Sequence, residues 1–268
     1  MIRLIALDLD GTLLAPDSRV APVDSEAIAQ ARERGVQIVL ATARWYGIAQ
    51  RTARKLEITT PLICYHGAHI QEPDGGEELL HLRIDADAAR EIAAFCDERG
   101  YETMTTVDGI TYMRVPWEDQ IDPQRLPKDM RLAKTHAEFV TEPATGILVF
   151  GEEAARAVGD AFAERYAGVI GFPYGRSEGA QPYLTITDAA AEKGRALRLV
   201  CERLGVAPED VLAMGDAAPD VPMFKFARLG VAMGNAPDEV KAKADAVAPS
   251  NAEGGVAWAI RRFVLEEG

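Results

Sequence analysis

The stretch LIALDLDGTLL, residues 4–14, is an apolar run broken by two aspartates, Asp8 and Asp10. Burying unpaired charge is among the most expensive things a fold can do. The run therefore reads as a buried strand whose end meets something able to share two negative charges. Side chains alternate along a strand, so positions 8 and 10 point to the same side. Two carboxylates about 4 Å apart repel by ~4 kcal/mol at an effective dielectric of 20, and a hard cation removes that cost. Taken alone, the segment equally describes a strand that ends in a polar turn at Gly11.

Outward from this stretch the chain alternates strand and helix signals. A helix over "PVDSEAIAQARERG" is stopped by Gly35, "VQIVLAT" is a second apolar strand, "GIAQRTARKLEI" a second helix and "PLICYHGA" a third strand. Near-continuous apolar strands separated by helices predict a parallel sheet covered on both faces. The same grammar returns late: a helix at "EKGRALRLVCERLG", a strand at "DVLAMGD", a short helix at "PDVPMFKFA", a strand at "LGVAMGN", then helices at "PDEVKAKA" and "GGVAWAIRRFVLEE". Between the blocks, helices ("DADAAREIAAFCDERG", "EEAARAVGDAFAERYAG") mingle with a hairpin pattern, "YETMTTVDGITYMRV", whose Asp108-Gly109 is a tight-turn signal. "PWEDQIDPQRLPKDM", with three prolines, reads as a loop. The sequence thus predicts an α/β, doubly wound core formed by residues 1–81 and 186–268, with an α+β insertion over 82–185.

The 268 residues are 48% apolar and suffice for a large core. The net charge of −13, from 29 basic and 42 acidic residues, argues against a nucleic acid or an anionic membrane as partner. Cys64, Cys96 and Cys201 lie far apart in apolar contexts and read as reduced core thiols. No apolar run approaches the ~18 residues of a membrane span, and no export signal precedes the first strand. The expectation is a cytoplasmic protein. The residues carry no signal for oligomeric state.

In an open parallel sheet, ligands bind outside the carboxyl ends of the strands. Asp8 and Asp10 follow the first predicted strand, Thr42 and Arg44 the second, and Asp216 ends "DVLAMGD". Mg²⁺ takes a few oxygen ligands and leaves room for a phosphate oxygen; Asp8, Asp216 and a backbone carbonyl near Asp10 make a fitting set.

Taken together these residues resemble the haloacid dehalogenase (HAD) superfamily of phosphohydrolases, and more closely its Cof-type branch, subfamily IIB. "DLDGTLL" is similar to that family's first motif, "LATAR" to its second, "EKGRAL" to its third and "MGDAAPD" to its fourth. "GVAMGNAPDEVKAKADAVAPSNAEGGVAWAI" resembles the tail of the Cof branch. The resemblance covers essentially the whole chain. It implies a Rossmann-like core with an inserted cap of the C2B type, and Mg²⁺-dependent hydrolysis of small phosphorylated metabolites, sugar phosphates foremost. Asp8 would be the nucleophile, forming an aspartyl-phosphate; Asp10 would be the general acid and base. Thr42 and Lys193 would hold phosphoryl oxygens, with Arg44 a further positive group at the mouth. Asp8, Asp10 through its carbonyl, and Asp216 would hold the metal, and Asp220 would complete that site as ligand or support.

The chain departs from the family pattern at two places. The fourth motif ordinarily reads GD-x-x-N-D, and Pro219 stands at the asparagine position. Proline suits a first helical turn, so geometry is kept while a polar contact is lost. His66 replaces the asparagine of an Asn-Gly-Ala pattern, where it would contact substrate or donate a proton near neutral pH. His69, three residues on, is expected to aim its ring away from His66. In the insertion, "FPYGRSEGAQPYLTIT", with Arg176, Glu178 and Tyr183, is the expected specificity segment. Alternatives are a phosphatase dedicated to one glycosyl or glycerate phosphate, and a weakened protein that binds phosphate esters in a regulatory role.

Overall fold

The computed structural model describes residues 1–175 and 181–266. It opens with β1 (Leu4–Leu7), α1 (Pro22–Glu33), β2 (Gln37–Leu40), α2 (Tyr46–Lys55), β3 (Leu62–Cys64), β4 (His69–Gln71) and β5 (Glu78–His81). A second stretch holds α3 (Ala86–Arg99), β6 (Thr103–Val107), β7 (Ile110–Arg114), β8 (Met130–Leu132), β9 (Ala144–Phe150), α4 (Glu152–Phe162), β10 (Ile170–Gly171), β11 (Tyr174–Gly175) and β12 (Tyr183–Asp188). The chain closes with α5 (Lys193–Leu204), β13 (Val211–Gly215), α6 (Val221–Phe226), β14 (Leu229–Ala232), α7 (Asp238–Lys241), β15 (Ala246–Val247) and α8 (Gly255–Ile260). Two compact units result: residues 1–79 with 192–266, and residues 80–175 with 181–191. Strand β12 runs unbroken through the junction expected at 185/186 and belongs to the second unit.

The first unit is built on a parallel sheet of order β15-β14-β13-β1-β2, extended past β2 by a parallel bridge between Ala41 and Ile63. Ile5, Leu7, Ile38, Leu40, Leu212 and Met214 enter one core with α1 and α8. The alternate residues Leu4, Ala6, Val39 and Ala213 are equally buried on the opposite face. Both faces are therefore covered, the doubly wound arrangement that the apolar strands predict. Each full Leu or Ile side chain so buried contributes about 1.5–3 kcal/mol. β1 lies between β13 and β2 in register, Leu7 beside Met214 and Leu40. The residues just past these three ends, Asp8, Gly215–Asp216 and Ala41–Thr42, are thereby brought side by side.

The third strand is shorter than "PLICYHGA" suggests. It stops at Cys64 because Tyr65, His66 and Gly67 take positive φ angles of 48°, 56° and 104°. The second unit is a mixed sheet of order β10-β12-β9-β6-β7-β8, with β11 paired to β12, and α3 and α4 pack on it over Ile92, Ala144, Ile147, Val149 and Val158. Asp108 and Gly109, at φ 48° and 72°, make the tight turn of the β6–β7 hairpin. The proline-rich loop contains two short 3₁₀ turns, Glu118–Gln120 and Pro123–Arg125, before β8. All three cysteines are free and buried. Among the described residues, no helix is long and apolar enough to cross a membrane.

Candidate active site

Asp8 leaves β1 with its backbone N–H bonded to the Met214 carbonyl, 3.1 Å. Beyond it, Gly11 turns the chain at φ 80°, and a Cβ there would lie 2.2–2.9 Å from the Asp216 carboxylate. Only glycine fits both the left-handed backbone and the close approach. Thr12, next in the turn, donates its hydroxyl to Asp216 Oδ1 at 3.2 Å. The first and fourth sequence motifs thus meet across adjacent strands.

Lys193, the first residue of α5, is 3% exposed, and its Nζ donates to Asp8 Oδ1 and to Asp220 Oδ1, each at 2.6 Å. An ammonium has three N–H donors, so one remains for a ligand. Asp220 spends its second oxygen on the N–H groups of Asp216 and Ala217, both 3.0 Å. It braces Lys193 and the Asp216 loop together. Gly215 makes room for this, since a Cβ there would come within 2.3–2.5 Å of the Asp220 side chain. Pro219 occupies the first turn of the short 3₁₀ segment Ala218–Asp220, and the Asp220 N–H still reaches the Ala217 carbonyl at 2.9 Å. The geometry of the motif survives the proline.

Thr42 is fully buried past β2, with its N–H on the Ile63 carbonyl, its carbonyl accepting from His66 N–H, and its Oγ1 accepting from Arg44 N–H. Its own hydroxyl proton is left to donate. Arg44 was expected to offer charge to a phosphate; it is found on Asp10 instead, in a two-pronged pair, Nε to Oδ2 at 2.7 Å and Nη2 to Oδ1. Such forks fix both partners in one plane. The Asp10 side chain is therefore held in one orientation by Arg44, while its carbonyl can turn to a metal.

Burial lifts the Asp8 carboxyl above its ordinary range, Lys193 opposes this, and Asp220 and Asp10 add to it. Asp216 is raised by burial and by Asp8 and Asp220. Burial disfavours the Lys193 ammonium, but Asp220 and Asp8 outweigh it and hold the proton firmly. His66 is pushed down to about 3 by burial, and by Lys193 nearby. It stands as a neutral imidazole at neutral pH, able to share one N–H but not to act as a protonated acid. His69 turns away to pair with Glu78 at 3.1 Å.

The carboxylates of Asp8, Asp216 and Asp220 offer oxygens all within 4.8 Å of one another. Hard oxygen donors, two of them on carboxyls raised chiefly by burial despite Lys193, fit a divalent cation. Of the expected specificity segment, Arg176 and Glu178 lie outside the described residues, and Tyr183 opens β12 beside Phe150, with ring centroids 6.3 Å apart. Not foreseen were Thr12, the fork from Arg44 to Asp10, and Asn235, whose amide Nδ2 donates to the Gly11 carbonyl at 2.8 Å. A polar residue three positions past the end of a strand of this sheet, in "VAMGN", is the sequence signal that marks Asn235.

A doubly wound sheet with four acids and a buried lysine at its strand ends defines a class, and the comparisons agree with it. A model of the haloacid dehalogenase-like hydrolase family matches residues 5–260, and the chain belongs to that family. Several of its relatives are phosphatases by name. A Bacillus subtilis 5-amino-6-(5-phospho-D-ribitylamino)uracil phosphatase, YcsE, is 30% identical over 267 residues, covering 98% of this chain and 96% of its own. The pyridoxal phosphate phosphatase YbhA of Escherichia coli is 29% identical, covering 98% and 99%. Among solved structures, a haloacid dehalogenase-like hydrolase from Bacteroides thetaiotaomicron superposes with a TM-score of 0.81 at 26% identity, over 98% of this chain and 100% of that one. The protein is a phosphatase of the Cof-type branch, with a Rossmann-like core and a cap domain.

Proposed function

We propose that the protein is a Mg²⁺-dependent phosphatase that hydrolyses small phosphomonoesters, sugar phosphates foremost, through an aspartyl-phosphate on Asp8. The observation that carries the reading is the buried array Asp8–Lys193–Asp220 beside Asp216, at the carboxyl ends of β1 and β13. A divalent cation held by Asp8, Asp216 and the Asp10 carbonyl, with Asp220 in support, would neutralise charge on the phosphoryl group.

Asp8 is the nucleophile: one carboxylate oxygen attacks phosphorus, and the alkoxide leaves. Lys193, pinned by two carboxylates, keeps that oxygen oriented and offers its third N–H to a phosphoryl oxygen. The Thr42 hydroxyl donates to another, so charge developing on the phosphoryl group meets donors already in place. Asp10 protonates the leaving oxygen and then takes a proton from the water that hydrolyses the intermediate. Neutral His66, next to Lys193, serves as a hydrogen-bond donor to the bound ester. Arg44 fixes the plane of the Asp10 carboxylate. The second unit, residues 80–175 with 181–191, is the cap that selects the leaving group.

Hydrolysis of an aryl phosphate and of a panel of sugar, ribityl and pyridoxal phosphates, with Mg²⁺ and with chelator, tests the reading. The expected result is metal-dependent turnover, highest on a sugar phosphate and abolished in Asp8→Asn. Turnover that survives in Asp8→Asn, or that ignores chelator, overturns it.

A further inference from the structure

The tail motif "MGNAPDEV…APSNAEGG" has no role in the chemistry above, yet the structure ties it to the catalytic turn. Asn235, just past β14, donates its Nδ2–H to the Gly11 carbonyl at 2.8 Å, and its Oδ1 accepts the backbone N–H of Asn251 at 3.0 Å. Asn251, 7% exposed, donates its own Nδ2–H to the Leu14 carbonyl at 2.7 Å. The turn that follows Asp10 is therefore gripped at two carbonyls, three residues apart, by two side-chain amides, one of which also holds the backbone of the residue that carries the other.

The grip is rigid. Gly234 N–H bonds the Pro249 carbonyl at 3.1 Å, and a Cβ on Gly234 would come within 2.7 Å of Ser250 N. The two asparagine segments thus lie in direct backbone contact. Asn251 also begins a 3₁₀ turn capped by Ser250 and Glu253, whose carboxylate accepts from Ser250 N–H at 3.2 Å and from its hydroxyl at 2.6 Å. On the other side of the grip, the Leu13 N–H reaches the Asp8 carbonyl at 3.3 Å, and Thr12 reaches Asp216. Gly11 itself has no side chain to hold it, because Asp216 fills that space. Glycine has the widest choice of backbone conformations to restrict, and here it adjoins the acid, base and metal groups.

We propose that Asn235, braced by Asn251, is a positioning residue for catalysis: it fixes the peptide after Gly11, and through it the Asp10 carbonyl and the Thr12 hydroxyl. The inference rests on the phosphatase reading. A carboxamide is required because it must give a proton to one carbonyl and accept one from an amide; aspartate supplies only the acceptor and sets an oxygen against the Gly11 carbonyl.

The test compares wild type, Asn235→Asp, Asn235→Ala and Asn251→Ala. For aryl phosphate hydrolysis, kcat is expected to fall roughly tenfold to hundredfold in Asn235→Asp. KM and the inhibition constant of inorganic phosphate should stay within about threefold, since ground-state binding does not need the turn fixed. Asn251→Ala keeps the backbone bond to Asn235 and should lose less, and it serves where Asn235→Asp fails to fold. Calorimetric Mg²⁺ binding reads the same placement without turnover, and should weaken about tenfold in Asn235→Asp. If wild type turns over nothing while Mg²⁺ binding still weakens, the phosphatase reading fails and the positioning role stands. Unchanged kcat and Mg²⁺ affinity with only a lowered Tm would show that the asparagines stabilise the fold and nothing more, overturning the proposal.

Discussion

Replacing Lys193 by methionine keeps most of the side-chain volume and removes the charge that two buried carboxylates share. Asp8 and Asp220 each stand 2.6 Å from Nζ, with side chains 7% and 1% exposed. Deleting one partner of a buried ion pair costs about 3–5 kcal/mol, because the remaining charge is stranded. The stranded carboxyls respond by taking up protons. Asp8 is raised even with Lys193 present, and rises further without it. A carboxyl raised in the folded state binds a proton that the unfolded chain has released, so stability falls as pH rises toward the folded value. One such group returns about 1.4 kcal/mol per pH unit. Wild-type Asp8, raised to about 7, already takes up protons in this window, so between pH 8 and pH 6 the deficit of Lys193→Met should shrink by only about 1–2 kcal/mol. Urea titrations in chelator at the two pH values, for wild type and variant, measure it. Adding Asp8→Asn to Lys193→Met should recover at least about 1 kcal/mol at pH 8, since one stranded charge is gone. A deficit equal at both pH values, with no recovery in the double variant, would refute the reasoning.

Gly11→Ala and Gly35→Ala share a φ of 80°, but only the first crowds a neighbour, the Asp216 carboxylate. Gly35→Ala should cost about 1–2 kcal/mol by urea titration and Gly11→Ala more, because Asp216 must also move, and only Gly11→Ala should lose activity, roughly a hundredfold. Buried His136, whose Nδ1 lies 3.1 Å and 2.9 Å from the Thr103 and Thr105 hydroxyls, is held down at about 4 by burial, with Arg114 adding to this and Asp97 opposing it. The unfolded chain takes up this proton first as pH falls below about 6.5. The second unit should therefore lose about 2 kcal/mol between pH 8 and pH 5, read by amide exchange in β6 and β9 and flattened in His136→Gln. Pro219→Asn restores the family's side chain on a backbone turn that is intact, and should raise kcat/KM by roughly tenfold or more if one charge-assisted hydrogen bond is regained. An unchanged kcat/KM would show that the proline had cost no contact.

What the sequence disclosed follows from the range of the interactions involved. The parallel core was legible because apolar strands and capped helices are local patterns, and Asp8, Thr42 and Asp216 stood out as polar residues at the ends of such strands. The early end of β3 was not, since three successive positive φ angles at Tyr65, His66 and Gly67 answer to tertiary packing; Gly67 lies so close to the Glu192 carbonyl that a Cβ would come within 2.6 Å of it. Strands β9 and β12 carry weak signals because their register is set by partners far along the chain. The fork from Arg44 to Asp10 spans 34 residues and the bond from Asn235 to Gly11 spans 224. Residue types suggest such pairs, and only the fold chooses them. His66 shows the reverse: its type suggested titration near neutrality, and its burial removes it.

The way the chain returns from its second unit bears on how such enzymes can be rebuilt. The first unit resumes at Glu192, one residue before Lys193. Glu192 accepts the Arg195 N–H at 3.2 Å, capping α5, while its carbonyl packs against bare Gly67. The splice is thus locked in place immediately ahead of the residue that must be placed best. A chimaera that imports a foreign module between 79/80 and 191/192 inherits a ready-made anchor for Lys193. One that moves the downstream seam even one residue later replaces Glu192 and discards it.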